Sequence, residues 1–162
     1  MDDPKCVVGH GGRLKDFSGR PIHSLHNLGD LLLPTAVVID DSRIMRNHLK
    51  ALLTEAGCEV VGEGGSGDDV IPLYEQFRPD LMTVDVVMPG TDGVTAATNL
   101  LKQHGEANVV MCTSTTSREK ILACQRAGVS HFILKPFKRE KVIGVVRLVL
   151  FRASQRAREQ VQ

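Results

Sequence analysis

Three carboxylates and one lysine close strand-like runs in this chain of 162 residues. Asp40 and Asp41 follow Ala36-Val37-Val38-Ile39, and Asp85 follows Leu81-Met82-Thr83-Val84. Lys135, with Pro136 behind it, follows His131-Phe132-Ile133-Leu134. Two adjacent carboxylates repel one another unless a cation screens them. Hard oxygen ligands of this kind suit Mg²⁺, which takes one or two carboxylates together with phosphate oxygens. A lysine alone at a strand end is ordinarily solvated; opposite three carboxylates it is the obvious counter-charge. Pro136 disfavours helix at Lys135 and keeps its backbone extended. The set makes a poor core and a good place to hold a divalent cation beside a phosphoryl group. Thr113 and Ser114, after Val109-Val110-Met111-Cys112, add hydroxyls that can bond a phosphoryl oxygen or simply cap the following helix.

These residues share a pocket only if their strand ends meet. From residue 34 onward the chain alternates strand and helix signals. Strand-like runs fall at 36–39, 59–62, 81–85, 108–112 and 131–134, apolar without alternation, as strands buried on both faces should be. Helical patterns fall between them. The first starts at the cap Ser42 and stops at Gly57. The second spans about 68–77, with Pro72 tolerated near its first turn. The third covers about 92–104, the fourth starts after Ser117 and ends at Gly128, and the fifth begins near Lys138 and reaches Arg152 or beyond. Five βα units predict an α/β fold with a doubly wound parallel sheet, whose carboxyl edge is where ligands bind. Spacing alone leaves two strand orders open.

A rival site lies at Gly62-Glu63-Gly64-Gly65-Ser66-Gly67, which matches G-x-G-x-x-G after a strand signal. Asp85 stands about 20 residues on, where a ribose-binding acid would sit. Against a dinucleotide site, a full βα unit precedes this loop, and Val86-Val87-Met88-Pro89-Gly90 after Asp85 forms a sharp turn of its own. The plainer reading is a Gly-rich connection between an edge strand and its helix.

Twenty basic and nineteen acidic residues leave a net charge of +1, which gives no electrostatic case for nucleic acid or an acidic membrane as the main partner. No window reaches the ~18 uninterrupted apolar residues of a membrane helix. The acidic start Met1-Asp2-Asp3-Pro4 does not read as a signal peptide, so a cytoplasmic location is expected. Cys6, Cys58, Cys112 and Cys124 show no C-x-x-C spacing and read as reduced, mostly buried thiols. His10, His23 and His26 with Cys6 are too irregularly spaced for a zinc site.

Residues 1–33 stand outside the repeat as an N-terminal extension, Gly-rich at first, with a possible short amphipathic helix at 24–33. The domain proper is expected over 34–152, with 153–162 a polar Arg/Gln tail. That tail is too short for a helix-turn-helix, so protein–protein contact is the expected output. On the fifth helix Val142, Val145, Val146 and Val149 should face the sheet, leaving Leu148 and Phe151 elsewhere. Those two mark a contact surface for a dimer or a target, or a seat for the N-terminal segment.

Taken together, Asp40-Asp41, Asp85 with Met88-Pro89-Gly90 and Asp92-Gly93, Thr113-Ser114, and Phe132 with Lys135-Pro136-Phe137 resemble the receiver domain of two-component response regulators, of the single-domain, chemotaxis type. The resemblance covers residue 35 to about 152. It implies a flavodoxin-like five-stranded parallel sheet in order 2-1-3-4-5 with five helices. It implies that Asp85 accepts a phosphoryl group from a sensor histidine kinase or a histidine phosphotransfer protein. Asp40, Asp41, Asp85 and the backbone carbonyl of Val87 would hold Mg²⁺. Lys135 would clamp the phosphoryl group, with Thr113 and Phe132 switching the face of helix four, strand five and helix five, a candidate homodimer or target surface. The resemblance implies a signalling module rather than an enzyme, performing only its own phosphorylation and dephosphorylation.

The chain departs from the family pattern at Phe132, where Tyr is frequent, and at Val87 and Thr115, which flank the route of the hydrolytic water and supply no acid or base. Slow self-dephosphorylation is therefore expected. Two other readings stay open: a pseudo-receiver that binds partners without phosphorylation, and a receiver fragment of a larger hybrid protein.

Overall fold

A computed structural model of the chain describes residues 33–114 and 118–160. The possible helix at 24–33 (Leu33 apart), the histidines with Cys6, Thr115 and Ser117 lie outside the described residues.

Five strands and five helices alternate: β1 (Thr35–Ile39), α1 (Arg43–Glu55), β2 (Glu59–Gly64), α2 (Val70–Phe77), β3 (Leu81–Asp85), α3 (Gly93–Gln103), β4 (Val109–Thr113), α4 (Arg118–Arg126), β5 (His131–Leu134) and α5 (Arg139–Glu159). All pairings are parallel, in the order β2-β1-β3-β4-β5. The chain reverses its direction of travel at β1, so the neighbouring carboxyl ends of β1 and β3 form the switch point where such sheets bind ligands.

Side chains alternate across the pleat and feed two cores. Val37, Ile39, Met82, Val84 and Met111 pack under α2, α3 and α4, against Val70, Tyr74, Ala97, Leu100 and Cys124. Ala36, Val38, Leu81, Val110 and Ile133 pack on the other face under α1 and α5, against Leu49, Leu53, Val142, Val146 and Val149. Each such aliphatic side chain contributes about 1.5–3 kcal/mol through removal from water. Burial on both faces explains why β1, β3 and β4 lack any polar alternation.

The helix ends follow local chemistry. Ser42 caps α1, its Oγ accepting from the Met45 N–H at 3.4 Å, and Asp92 caps α3, accepting from the Thr95 N–H at 3.0 Å. On α5 the expected faces hold: Val142, Val146 and Val149 are buried, while Leu148 and Phe151 are exposed.

Two boundaries differ from the sequence reading. The polar segment 153–162, set apart there as a tail, continues α5 as a helix to Glu159. Ala153, Arg156 and Ala157 are good helix formers, and no glycine or proline interrupts them. β2 also runs two residues further than expected, to Gly64. A Cβ on Gly64 would stand 2.6 Å from the Asp69 Cβ and 2.9 Å from Ile39 Cδ1, so this glycine permits close packing. The G-x-G-x-x-G run is thus the end of an edge strand and a capped turn, in which the Asp69 carboxylate accepts from the Gly65 and Ser66 N–H groups.

Cys58, Cys112 and Cys124 are buried and unbridged, and burial pushes the Cys58 thiol up to about 11 and that of Cys112 further. Among the described residues no helix is long and apolar enough to cross a membrane.

Candidate functional site: an acidic pocket at the carboxyl edge of the sheet

The pocket is built from the residues that immediately end three strands. β1 stops at Ile39, and the Asp40 N–H donates to the Gly64 carbonyl at 3.1 Å, which turns the chain across the end of β2. Asp40 Oδ1 accepts from the Ser42 N–H at 2.8 Å, so one carboxylate oxygen is fixed and the other points inward. Asp40 is 1% exposed, and Asp41 beside it is exposed. Asp85 is the last residue of β3 and 5% exposed; its Oδ1 accepts from the Val87 N–H at 3.3 Å. Lys135 follows β5, with its N–H donating to the Thr113 carbonyl at 2.8 Å and its peptide bond to Pro136 cis. Its ammonium Nζ stands 2.6 Å from Asp40 Oδ2 and 3.0 Å from Asp85 Oδ2. Residues 95 positions apart are thereby in direct contact.

Burial drives the Asp85 carboxyl above its ordinary range, with the Asp40 charge adding to the rise and Lys135 opposing it. Burial also pulls the Lys135 ammonium down, but its bonds to Asp40 and Asp85 outweigh that and leave it raised. The ammonium therefore keeps its charge and allows two buried carboxylates to coexist.

Asp40, Asp41 and Asp85 each offer an oxygen, and the three oxygens lie within 4.8 Å of one another. The donor set is all carboxylate, with one member facing solvent, which fits a hard divalent cation such as Mg²⁺ that retains water and phosphate ligands. Val87, two residues past Asp85, lies in the turn after β3 with a 49% exposed side chain.

Thr113 ends β4 one residue beyond Cys112, the register partner of Asp85, and is 1% exposed. Phe132 lies opposite Met111 on β5, partly buried against the core under α3 and α4. The structure thus brings Asp40, Asp41, Asp85 and Lys135 into one constellation, with Thr113 at the same sheet edge and Phe132 one strand over.

Two further residues shape the site: Arg46, which carried no signal in the sequence reading, and Gly93, which entered it only within the Asp92-Gly93 motif. Arg46 reaches back from α1: its Nη1 donates to the Asp40 carbonyl at 2.7 Å and meets the Asp41 carbonyl at 3.5 Å. It ties down the main chain that bears both carboxylates. Gly93 opens α3 under the β3 end, with its N–H donating to the Val86 carbonyl at 3.2 Å. A Cβ there would fall 1.7 Å from the Asp85 carbonyl oxygen. An arginine on an amphipathic helix ordinarily reads as solvated, and a glycine after a cap reads as a helix start. Only the spacing of Arg46, one turn past Ser42 on the loop-facing side, could have hinted at its role.

A flavodoxin-like sheet in this strand order, with an acidic pocket and a lysine at its carboxyl edge, defines a phosphoryl-signalling type of domain. The chain belongs to the response regulator receiver domain family, whose pattern matches residues 36–147. It is 31% identical to the chemotaxis protein CheY of Thermotoga maritima over 113 residues, 70% of this chain and 94% of that protein. It is 32% identical to the chemotaxis protein CheY of Bacillus subtilis over 114 residues, 70% of this chain and 95% of that protein. Among solved structures, the CheX–CheY–BeF₃–Mg²⁺ complex of Borrelia burgdorferi contains a chain 26% identical, with a TM-score of 0.68 over 71% of this chain and 87% of that one. A CheY-like receiver domain protein from Methanospirillum hungatei, at 19% identity, shares the fold with a TM-score of 0.72 over 77% of this chain and 99% of that one.

Proposed function

We propose that this protein is a phosphorylation-dependent response regulator that accepts a phosphoryl group on Asp85 from a sensor histidine kinase or a histidine phosphotransfer protein. The observation that carries the reading is the contact of Lys135 Nζ with both Asp40 and Asp85, at 2.6 and 3.0 Å, beside a third carboxylate on Asp41. In the reaction an Asp85 carboxylate oxygen attacks the phosphorus of a phosphohistidine. The P–N bond breaks, the departing imidazole takes a proton from water, and an acyl phosphate remains on Asp85. Asp40, Asp41, Asp85 and the Val87 carbonyl would hold Mg²⁺, which when bound neutralises charge on the transferred group. Lys135 loses part of its contact with Asp85 as that oxygen becomes the bridge of a mixed anhydride, and its ammonium turns to the phosphoryl oxygens. Thr113 supplies a hydroxyl to the same group.

The output is protein–protein contact through α4, β5 and α5. Leu122, Leu134, Leu148 and Phe151, all exposed large apolar residues, lie on these three elements. Phe132, partly buried between the pocket strand and the helices, is the side chain whose inward rotation would couple the two. The same face is the candidate homodimer surface, and the setting is a cytoplasmic two-component pathway.

Incubation with Mg²⁺ and acetyl phosphate, followed by intact mass, tests the reading. Wild type should gain a single phosphoryl group and Asp85→Asn none. Absence of any gain dependent on Asp85 would turn the reading into a phosphorylation-independent interaction module.

A further inference from the structure

The last turns of α5 carry Arg147, Arg152, Arg156 and Arg158 against Glu159 alone, in a chain whose net charge is only +1. Arg152 and Arg156 lie one turn apart and line an open cleft of about 360 Å³ with Ser130 and His131 from the start of β5. Val109 and Val149 form its apolar floor. The cleft sits at the amino ends of β4 and β5, so four residues of strand, about 13 Å, separate it from the phosphoacceptor edge. Its α5 wall lies past residue 147, where the family match stops.

We propose that this cleft is a docking site for an acidic segment of a protein partner, bound whether or not Asp85 is phosphorylated. Charge and shape both favour that occupant. Burial, then Arg152 and Arg156, lower the affinity of the His131 ring for a proton, in keeping with a positive field in which the two arginines outnumber the cleft's one carboxylate, Glu159. Arg156 is partly used, donating to Asn108 Oδ1, while Arg152 makes no ion pair with a described residue. Leu148, 42% exposed, lies one turn before Arg152 on the same side of α5. Arginine is among the residues enriched at hot spots for protein contact, and a neighbouring apolar side chain adds area to bury. A nucleic acid is less well served. So few cations neutralise few phosphates, and a near-neutral chain supplies no long-range attraction.

The test uses the full chain and a short fluorescein-labelled peptide of alternating glutamate and leucine, read by anisotropy at moderate salt. Binding should weaken about tenfold or more in Arg152→Glu. Arg147→Glu, the same charge change outside the cleft, should alter it little, and Glu159→Gln should strengthen it. Asp85→Asn should bind as wild type does, so failure of the phosphoacceptor reading leaves this result standing. Three outcomes would overturn the proposal: no binding, equal losses in Arg147→Glu and Arg152→Glu, or tighter binding of a single-stranded RNA of similar length. Unchanged circular dichroism in Arg152→Glu separates lost docking from lost folding.

Discussion

Gly93 and Asp85 are packed main chain to main chain, so closely that any side chain on Gly93 would overlap the Asp85 carbonyl at 1.7 Å. The neighbouring Val86 Cα, at 3.1 Å from the same point, leaves no direction for escape. Gly93→Ala must push α3 away from the end of β3. It should destabilise the domain by about 1–3 kcal/mol in urea unfolding. It should also slow acetyl phosphate-driven phosphorylation, because Asp85 moves with its carbonyl. A stable variant with an unchanged rate would show that the α3 start does not position the acceptor.

Lys135→Met tests the electrostatic frame. Its side chain, 14% exposed, is the contact shared by two carboxylates that are 1% and 7% exposed. Removing one partner of a buried pair is far more damaging than its presence is helpful. The loss in metal-free buffer should be about 3 kcal/mol. Saturating Mg²⁺ should restore more stability to the variant than to wild type, since the cation replaces the missing charge. Equal midpoints in chelator would mean that the lysine is mainly solvated.

Arg46→Ala should weaken Mg²⁺ binding about tenfold by calorimetry, as loss of a group orienting metal ligands usually does. Arg46→Lys should recover part of the loss. The guanidinium also carries a positive charge near the cation. If affinity rises on its removal, repulsion outweighs positioning.

The pH dependence of folding should carry a contribution from His131. Burial, with Arg152 and Arg156 adding to it, lowers the folded-state pKa below the ordinary histidine value of 6.5. The unfolded chain therefore binds the proton first as pH falls. Stability from this group is fully present above pH 6.5 and declines as the pH drops from there toward the lower folded value. His131→Gln should flatten the wild-type slope in that window, in urea midpoints measured from pH 7.5 downward. An unchanged slope would assign the effect to other groups.

Val87, half-exposed beside Asp85, offers no polar group to orient a hydrolytic water. The acyl phosphate should persist for minutes or longer at neutral pH, and Val87→Asn should shorten its life. Decay within seconds in the wild-type chain would exclude this account.

The strands were legible because burial on both faces leaves an unmistakable mark: Val37, Val38 and Ile39, or Val109, Val110 and Met111, admit no polar alternation. Asp85 and Lys135 were legible in combination, because three carboxylates and a lysine ending such runs together have few structural explanations. The strand order came through family resemblance, since hydrophobic period says nothing about which strands are neighbours. Arg46, and the packing role of Gly93, were invisible for a different reason. Their roles depend on contacts with main chain from another element, and no local pattern encodes those. The end of α5 was left open at Arg152 or beyond because 153–159 buries little, and apolar periodicity fades where a helix outruns the core.

The strands supporting the pocket are not equally embedded. Every residue of β1 and β3 is buried, whereas β5 buries only Ile133 and leaves Leu134 56% exposed. In hydrogen exchange, the amides of β1 and β3 would open only with the whole domain, and those of β5 at a lower free energy. The carboxylates therefore rest on a stiff floor while Lys135 hangs from a less embedded strand. Under the proposed phosphorylation, a charge arriving at Asp85 would meet resistance on one side and compliance on the other, so the fold would give the displacement a direction before any partner is present.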